Sequence, residues 1–227
     1  MKETVLEEGL TQLQLNGVDK EDAAKQLHRY IAEIELFNPA YGLVKVRDRQ
    51  ELIVKHILDS LAPYNQIKAI LQRIHNSSNN IADAGSGAGL PGIPLAICMP
   101  DVTFTLVERM GRRAGFLRNV QAALSLSNME VQESDIDNAE LSGRFDIIVS
   151  RAFRPLSNEL YKHQVRMLSH GGIIAAYKGR KDAIDEEMLA LLKTVGEAER
   201  PAIASWDAIP VTVPFLNDER HLLVIRQ

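Results

Sequence analysis

The stretch IADAGSGAGLPGIP, from Ile81 to Pro94, decides how the rest of the chain is read. A short apolar run carries one acid, Asp83, and leads through Gly85, Gly87, Gly89 and Gly92 into a second apolar segment. That is the order strand, loop, helix start. Glycine admits positive φ and lets backbone approach a ligand closely, while free N–H groups at a helix start favour a negatively charged ligand group. The stretch points to a nucleotide-like cofactor. A plain βα turn would use the same residues more sparingly, since four glycines in eight residues exceed what such a turn needs.

Gly87-Ala88-Gly89-Leu90-Pro91-Gly92 also fits the GxGxxG pattern of dinucleotide-binding proteins. Glu108, after the second apolar run, does not discriminate, because any nucleoside cofactor has ribose hydroxyls for an acid to accept from. Asp83 does. It produces Asp-x-Gly-x-Gly-x-Gly, and a carboxylate beside a pyrophosphate is electrostatically unfavourable. S-adenosyl-L-methionine carries no phosphate but has a sulfonium and an ammonium, which an acid attracts. The chemistry favours a methyl donor.

Outward from this stretch, apolar runs alternate with helix-like segments: VTFTLVE then RRAGFLRNVQAAL, MEVQES, FDIIVS then LSNELYKHQVRML, GGIIAAYK then DAIDEEMLALLKTV. Such alternation predicts an α/β fold with a mostly parallel, Rossmann-like sheet. WDAIPVTVP and RHLLVIRQ, separated by NDE, predict a terminal antiparallel hairpin. Residues 1–78 read as an N-terminal helical extension and 79–227 as the Rossmann-like domain, with the polar run NSSNN at the boundary. In the extension Asp19 is placed to cap a helix that ends near Phe37-Asn38-Pro39, and a later helix breaks at Pro63.

The 227 residues suffice for one substantial core. The N-terminus lacks the basic and apolar regions of a signal peptide, and no apolar run nears the ~20 residues of a membrane span, so a cytoplasmic protein is expected. Cys98, the single cysteine, lies in the apolar run LAICM and reads as a small core residue. There is no HExxH, no CxxC pair and no Walker lysine, and neither a metal centre nor P-loop chemistry is expected. The net charge of −4 argues against a wholly nucleic-acid-coating surface but does not report local clusters.

DAGSGAGLPGIPLAI, HILDSL, LVERMGRRAGFLRNVQ, SRAF and YKG occur in the order found in the glucose-inhibited division protein B family, which the chain resembles over nearly its whole length. The resemblance implies a class I S-adenosylmethionine-dependent methyltransferase acting at N7 of a guanine in 16S ribosomal RNA. It places Gly85 and Leu90 at the cofactor, Glu108 at the ribose, Ile136 and Asp137 at the adenine, and Arg151 at the active-site edge. Asp83, Gly87 and Gly89 join the cofactor set through the loop chemistry. Asp135 stands where many relatives carry a basic residue, and Gly42-Leu43-Val44 replaces the usual Asn-Leu-Thr.

Basic residues gather at Arg109, Arg112, Arg113 and Arg118, at Arg151 and Arg154, and at Lys178, Arg180 and Lys181. They are either solvated helix ends or a phosphate-binding rim, and their recurrence near strand ends favours the rim. His56, Asp59 and Ser60 either end a helix or shape the target pocket. Phe153 is a core residue or a stacking surface for an unpaired guanine. N7 of guanine already offers a lone pair, so no general base is expected and Arg151 is assigned a positioning role. The partner is 16S ribosomal RNA or the 30S subunit. Two alternatives remain at this point: a methyltransferase of a small molecule or protein, and a non-catalytic donor-binding ribosome assembly factor.

Overall fold

The computed structural model describes residues 4–74, 78–151, 156–194 and 203–227. Seven strands form one sheet: β1 Asn80–Ala84, β2 Thr103–Val107, β3 Met129–Gln132, β4 Phe145–Arg151, β5 Leu168–Lys178, β6 Ser205–Pro210 and β7 His221–Arg226, in the order β3-β2-β1-β4-β5-β7-β6. The first five pair in parallel and the last two antiparallel. The order reverses between β1 and β4, the position at which open α/β sheets bind ligands beyond the carboxyl ends of their strands.

Side chains alternate between two buried faces. Ile81, Ile147, Val149, Ala175, Leu222 and Val224 enter one cluster, while Ala82, Ile148, Ile174, Ala176, Leu223 and Ile225 enter the other. Strands covered on both faces read as continuous apolar runs, which is why FDIIVS and RHLLVI lack polar alternation. The second face is covered by α8 (Asn158–Met167) and α9 (Lys181–Thr194). The first carries α6 (Gly92–Cys98) and α7 (Gly111–Leu124) together with the N-terminal helices. Those helices are α1 (Val5–Leu13), α2 (Lys20–Tyr41), α3 (Arg49–Leu52), α4 (Asp59–Leu61) and α5 (Tyr64–Leu71), and their apolar side chains run without a break into the sheet core.

Asp19 caps α2, accepting from the backbone N–H of Glu21 and Asp22. The helix continues to Tyr41, past the expected end at Phe37–Pro39. Proline so close to a C-terminus removes one backbone bond, and Gly42, at φ 59°, closes the helix by donating to the Asn38 carbonyl. Between α3 and α4 the chain takes a π-helical turn over Ile53–Leu58. Its consequence is local: the Asp59 amide bonds the carbonyls of Val54 and His56, leaving that of Lys55 for another donor. Wide turns of this kind recur at functional sites.

Candidate functional site

The C-terminal edge of β1, β2 and β3 builds the first half of the site. Ala84 pairs with Val107 and Val107 with Gln132, so the three strands end level with one another. The glycine loop folds back on β2, where the Gly85 and Ser86 amides both donate to the Val107 carbonyl. Gly92 and Gly87 are constrained in different ways. A Cβ on Gly92 would stand 2.7 Å from an Asp83 oxygen. Gly87 has φ 59° and nothing nearer than the Gly85 carbonyl at 4.0 Å from the place of its missing Cβ, so a side chain there would project into the space in front of the loop. Leu90 is buried beneath the loop.

Asp83 lies on the face of the sheet that carries the N-terminal helices and is fully buried. Its Oδ2 accepts from the Gly92 amide at 2.9 Å, while Oδ1 has no hydrogen-bond partner among the described residues. Burial pushes its carboxyl up to about 7, further raised by the Glu108 charge and opposed by the Gly92 and Ser86 hydrogen bonds and by Arg151. A buried carboxylate with an unfilled oxygen is a site for a cation or a donor, not for phosphate. The expectation that the amides at the start of α6 would serve an anion gives way here: Gly92 has its N–H engaged by Asp83, and α6 is only seven residues long.

Glu108, buried at the end of β2, ties the loop down. One carboxylate oxygen accepts from the Gly87 amide and the other from the Met110 amide, each at 2.9 Å. A carboxylate has about four lone-pair sites, so two remain for ribose hydroxyls. Past β3, Ile136 is buried and Asp137 exposed, and both line a cleft of about 240 Å³ with Asp135 and Leu160. Asp135 accepts from the Ile136 amide at 2.8 Å, which sets the turn.

The second half of the site lies across the switch point. A cleft of about 440 Å³ opens at the ends of β4 and β5 and the start of β7, lined by Lys45, Lys55, His56, Asp59, Arg151, Tyr177, Lys178, Arg220 and others. Arg151 is its centre. One guanidinium nitrogen donates to Asp59 Oδ2 at 2.9 Å and to the Lys55 carbonyl at 3.0 Å, the group that the π turn released. The other lies 2.9 Å from His56 Nδ1. Asp59 Oδ1 accepts from Arg220 Nε, also at 2.9 Å. Burial, and then the Arg151 charge, push His56 down to about 4. The imidazole is therefore neutral near pH 7, accepting from Arg151 through Nδ1 and carrying its proton on Nε2. Tyr177 donates to the Ser60 carbonyl at 2.8 Å and joins β5 to the same helical wall.

The structure divides the sequence-predicted basic residues. Lys178 holds Glu187 at 2.7 and 2.8 Å; Arg180 pairs with Asp182, Lys181 with Asp185, and Arg118 with Glu133. Arg112 stacks over the Tyr41 ring at 5.6 Å, and neither Arg112 nor Arg113 has an ion pair among the described residues. Phe153 and Arg154 lie outside the described residues. Sequence reasoning missed Arg220, Lys45, Lys55 and Tyr177. The first follows the NDE turn and carries no local motif, and only the packing of β7 beside β5 brings it to Asp59.

Among the described residues no helix is long and apolar enough to cross a membrane, and no group of three or more His, Cys, Asp or Glu residues is placed to hold a metal ion. Cys98 is buried.

Residues 23–207 match the family model described as rRNA small subunit methyltransferase G. Two relatives named ribosomal RNA small subunit methyltransferase G are similar along almost their whole lengths. That of Treponema denticola is 36% identical, covering 98% of this chain and 94% of its own. That of Shigella flexneri is 37% identical, covering 92% of each. In fold, the chain resembles an S-adenosylmethionine-dependent methyltransferase of Aquifex aeolicus, with a TM-score of 0.54 at 15% identity over 86% of this chain and 97% of that one. A methyltransferase structure from Methanococcus maripaludis gives 0.53 at 19% identity over 90% and 92%. The glycine loop under Asp83, the level strand ends and the mostly parallel sheet closed by an antiparallel hairpin thus sit in a chain that belongs to the rRNA small subunit methyltransferase G family.

Proposed function

We propose that this protein transfers a methyl group from S-adenosyl-L-methionine to N7 of a guanine in the 16S ribosomal RNA of the small ribosomal subunit, in the cytoplasm. The observation that carries the proposal is the adjacency of two unlike half-sites on one sheet edge. Around Asp83 the protein is acidic and buried, suited to a cationic donor; around Arg151 it is an open basic cleft, suited to a polyanion. Family membership adds the acceptor class, because the relatives are named as ribosomal RNA small subunit methyltransferases.

When bound, the donor would supply a methyl group on a sulfonium: the N7 lone pair would form the new N–C bond as the C–S bond breaks, its pair returning to sulfur and the positive charge passing to the base. The residues of the chain have four tasks. Asp83 Oδ1 is available to the donor's ammonium. Glu108 holds the ribose and the Gly87 amide together. Ile136 and Asp137 frame the adenine. Arg151, itself fixed by Asp59, His56 and the Lys55 carbonyl, positions the acceptor. No proton leaves N7, which agrees with a cleft whose two histidines among the described residues are both engaged, His56 with Arg151 and His221 with the Gly179 carbonyl. Holding N7 within ~3 to 3.5 Å of the methyl carbon, in line with sulfur, is the main contribution asked of the protein.

Labelled methyl transfer to 30S particles, followed by nucleoside analysis, tests the proposal: 7-methylguanosine is expected. A competent substrate that gains no such nucleoside refutes it. Transfer to a protein or metabolite instead would establish the small-molecule or protein alternative, and donor binding without turnover would establish the assembly factor.

A further inference from the structure

Outside the two half-sites, the loop between β6 and β7 holds the least expected residue of the fold. Val211 and Arg220 close the hairpin, with the Val211 amide donating to the Arg220 carbonyl at 2.8 Å, and both line the basic cleft. Within the loop the Leu216 amide donates to the Val213 carbonyl at 3.2 Å, giving a turn with Pro214 second and Phe215 third. Phe215 has φ 64°. A turn with proline second and positive φ third ordinarily places glycine or asparagine there, and a bulky side chain in that conformation is strained. The strain brings only partial burial in return, because Phe215 is 47% exposed.

Phe215 lines a groove of about 300 Å³ together with Arg47, Asp48, Glu51, Val54, Lys55 and others. Lys55 lines this groove and the basic cleft alike, which makes the two continuous. Both acids of the groove are engaged internally: Glu51 accepts from the Arg47 amide and side chain and from Lys55, and Asp48 accepts from the Glu51 amide. Arg47 itself keeps 81% of its side chain in solvent. Val54 and Leu216 beside the half-exposed Phe215 ring, with the Arg47 guanidinium in solvent and the basic cleft adjoining through Lys55, fit an unpaired nucleobase with its phosphate.

We infer that Phe215 is a stacking platform for an unpaired base of the RNA strand adjoining the target guanine, seated in the groove between the start of α3 and the β6–β7 turn. This inference rests on the RNA methyltransferase proposal above. The strained turn holds the ring outward instead of allowing it to fold onto the core, where Val213 and Leu216 are already packed.

The test uses the whole protein, S-adenosylmethionine and 30S particles from cells lacking this enzyme. Glycine suits φ 64°, so Phe215→Gly is expected to fold with a Tm at or above that of the parent. Its KM for 30S particles should rise about 5- to 150-fold, the span measured for removing one stacked aromatic. Phe215→Leu should show the same rise, Phe215→Tyr should restore the parental value, and donor affinity by calorimetry should stay within about twofold in all three. An unchanged KM in Phe215→Gly overturns the inference, and so does a parental KM in Phe215→Leu, which would reduce the ring to apolar packing. Parallel loss of donor affinity also overturns it by assigning the turn a structural role. Failure of the parent protein to methylate 30S particles is a separate result that removes the RNA proposal and this inference with it.

Discussion

Donor affinity should titrate with Asp83. In the free protein burial holds its carboxyl at about 7, so the group is largely protonated in mildly acid solution. A cationic donor needs the carboxylate, and the protonated acid must lose its proton when the donor binds. With a pKa of about 7, roughly one-eleventh of the protein carries the carboxylate at pH 6 and about ten-elevenths at pH 8; the ratio predicts a ~10-fold weaker donor affinity at pH 6, or about 1.4 kcal/mol. The linked stability runs the other way. A folded-state pKa above the ordinary carboxyl value of 3.8 contributes stability that is complete below that value and is lost as pH rises through about 7. Calorimetry from pH 5.5 to 8.5, in buffers of different ionisation enthalpy, reads both the affinity slope and the released proton. Asp83→Asn should abolish both, since the amide does not titrate. Donor affinity independent of pH across that range, or a slope retained in Asp83→Asn, refutes the assignment of Asp83 to the donor's cationic groups.

Gly87→Val places a β-branched residue at φ 59° and aims it into the open space before the loop; donor binding should fall by at least ~100-fold in calorimetry, while strain of about 1–3 kcal/mol lowers Tm by about 2–12 °C. Unchanged affinity would remove the loop from the donor site. Asp59→Asn leaves two guanidiniums without their shared anion; denaturant unfolding should show a loss of about 3–5 kcal/mol, with kcat falling more than donor affinity, and a stability within experimental error of the parent would show that the network does not hold Arg151. Arg112→Glu combined with Arg113→Glu should weaken 30S binding and flatten its salt dependence by about two units of slope, leaving the donor Kd nearly intact; an unaltered slope would take both residues off the RNA path.

Much of this architecture was legible along the chain because it is local. A strand that ends in glycines, an Asp19 that caps its own helix and a buried strand that reads as unbroken hydrophobics are set by neighbours a few residues away. The strand order at the hairpin and the seven-residue length of α6 were not legible, nor was the survival of α2 past Pro39, since each depends on what packs against the element. The basic residues show the limit most clearly. Lys178, Arg180 and Lys181 look alike in sequence to any phosphate-binding cluster, yet all three face acids that only folding brings or holds near them.

Ile81 to Pro94 by itself determined a strand, glycine loop and helix start on an α/β sheet and pointed to a cationic donor, because the spacing of Asp83 from its glycines is a property of covalent neighbours. The tertiary structure alone decided what that loop faces. Arg151 meets Asp59 across 92 residues and Arg220 meets the same carboxylate across 161, and such pairs are chosen by sheet topology and by a π turn that frees one carbonyl. No local pattern encodes that meeting, for the apolar packing that sets the sheet order brings these charges together, and their pairing offsets the cost of burying them.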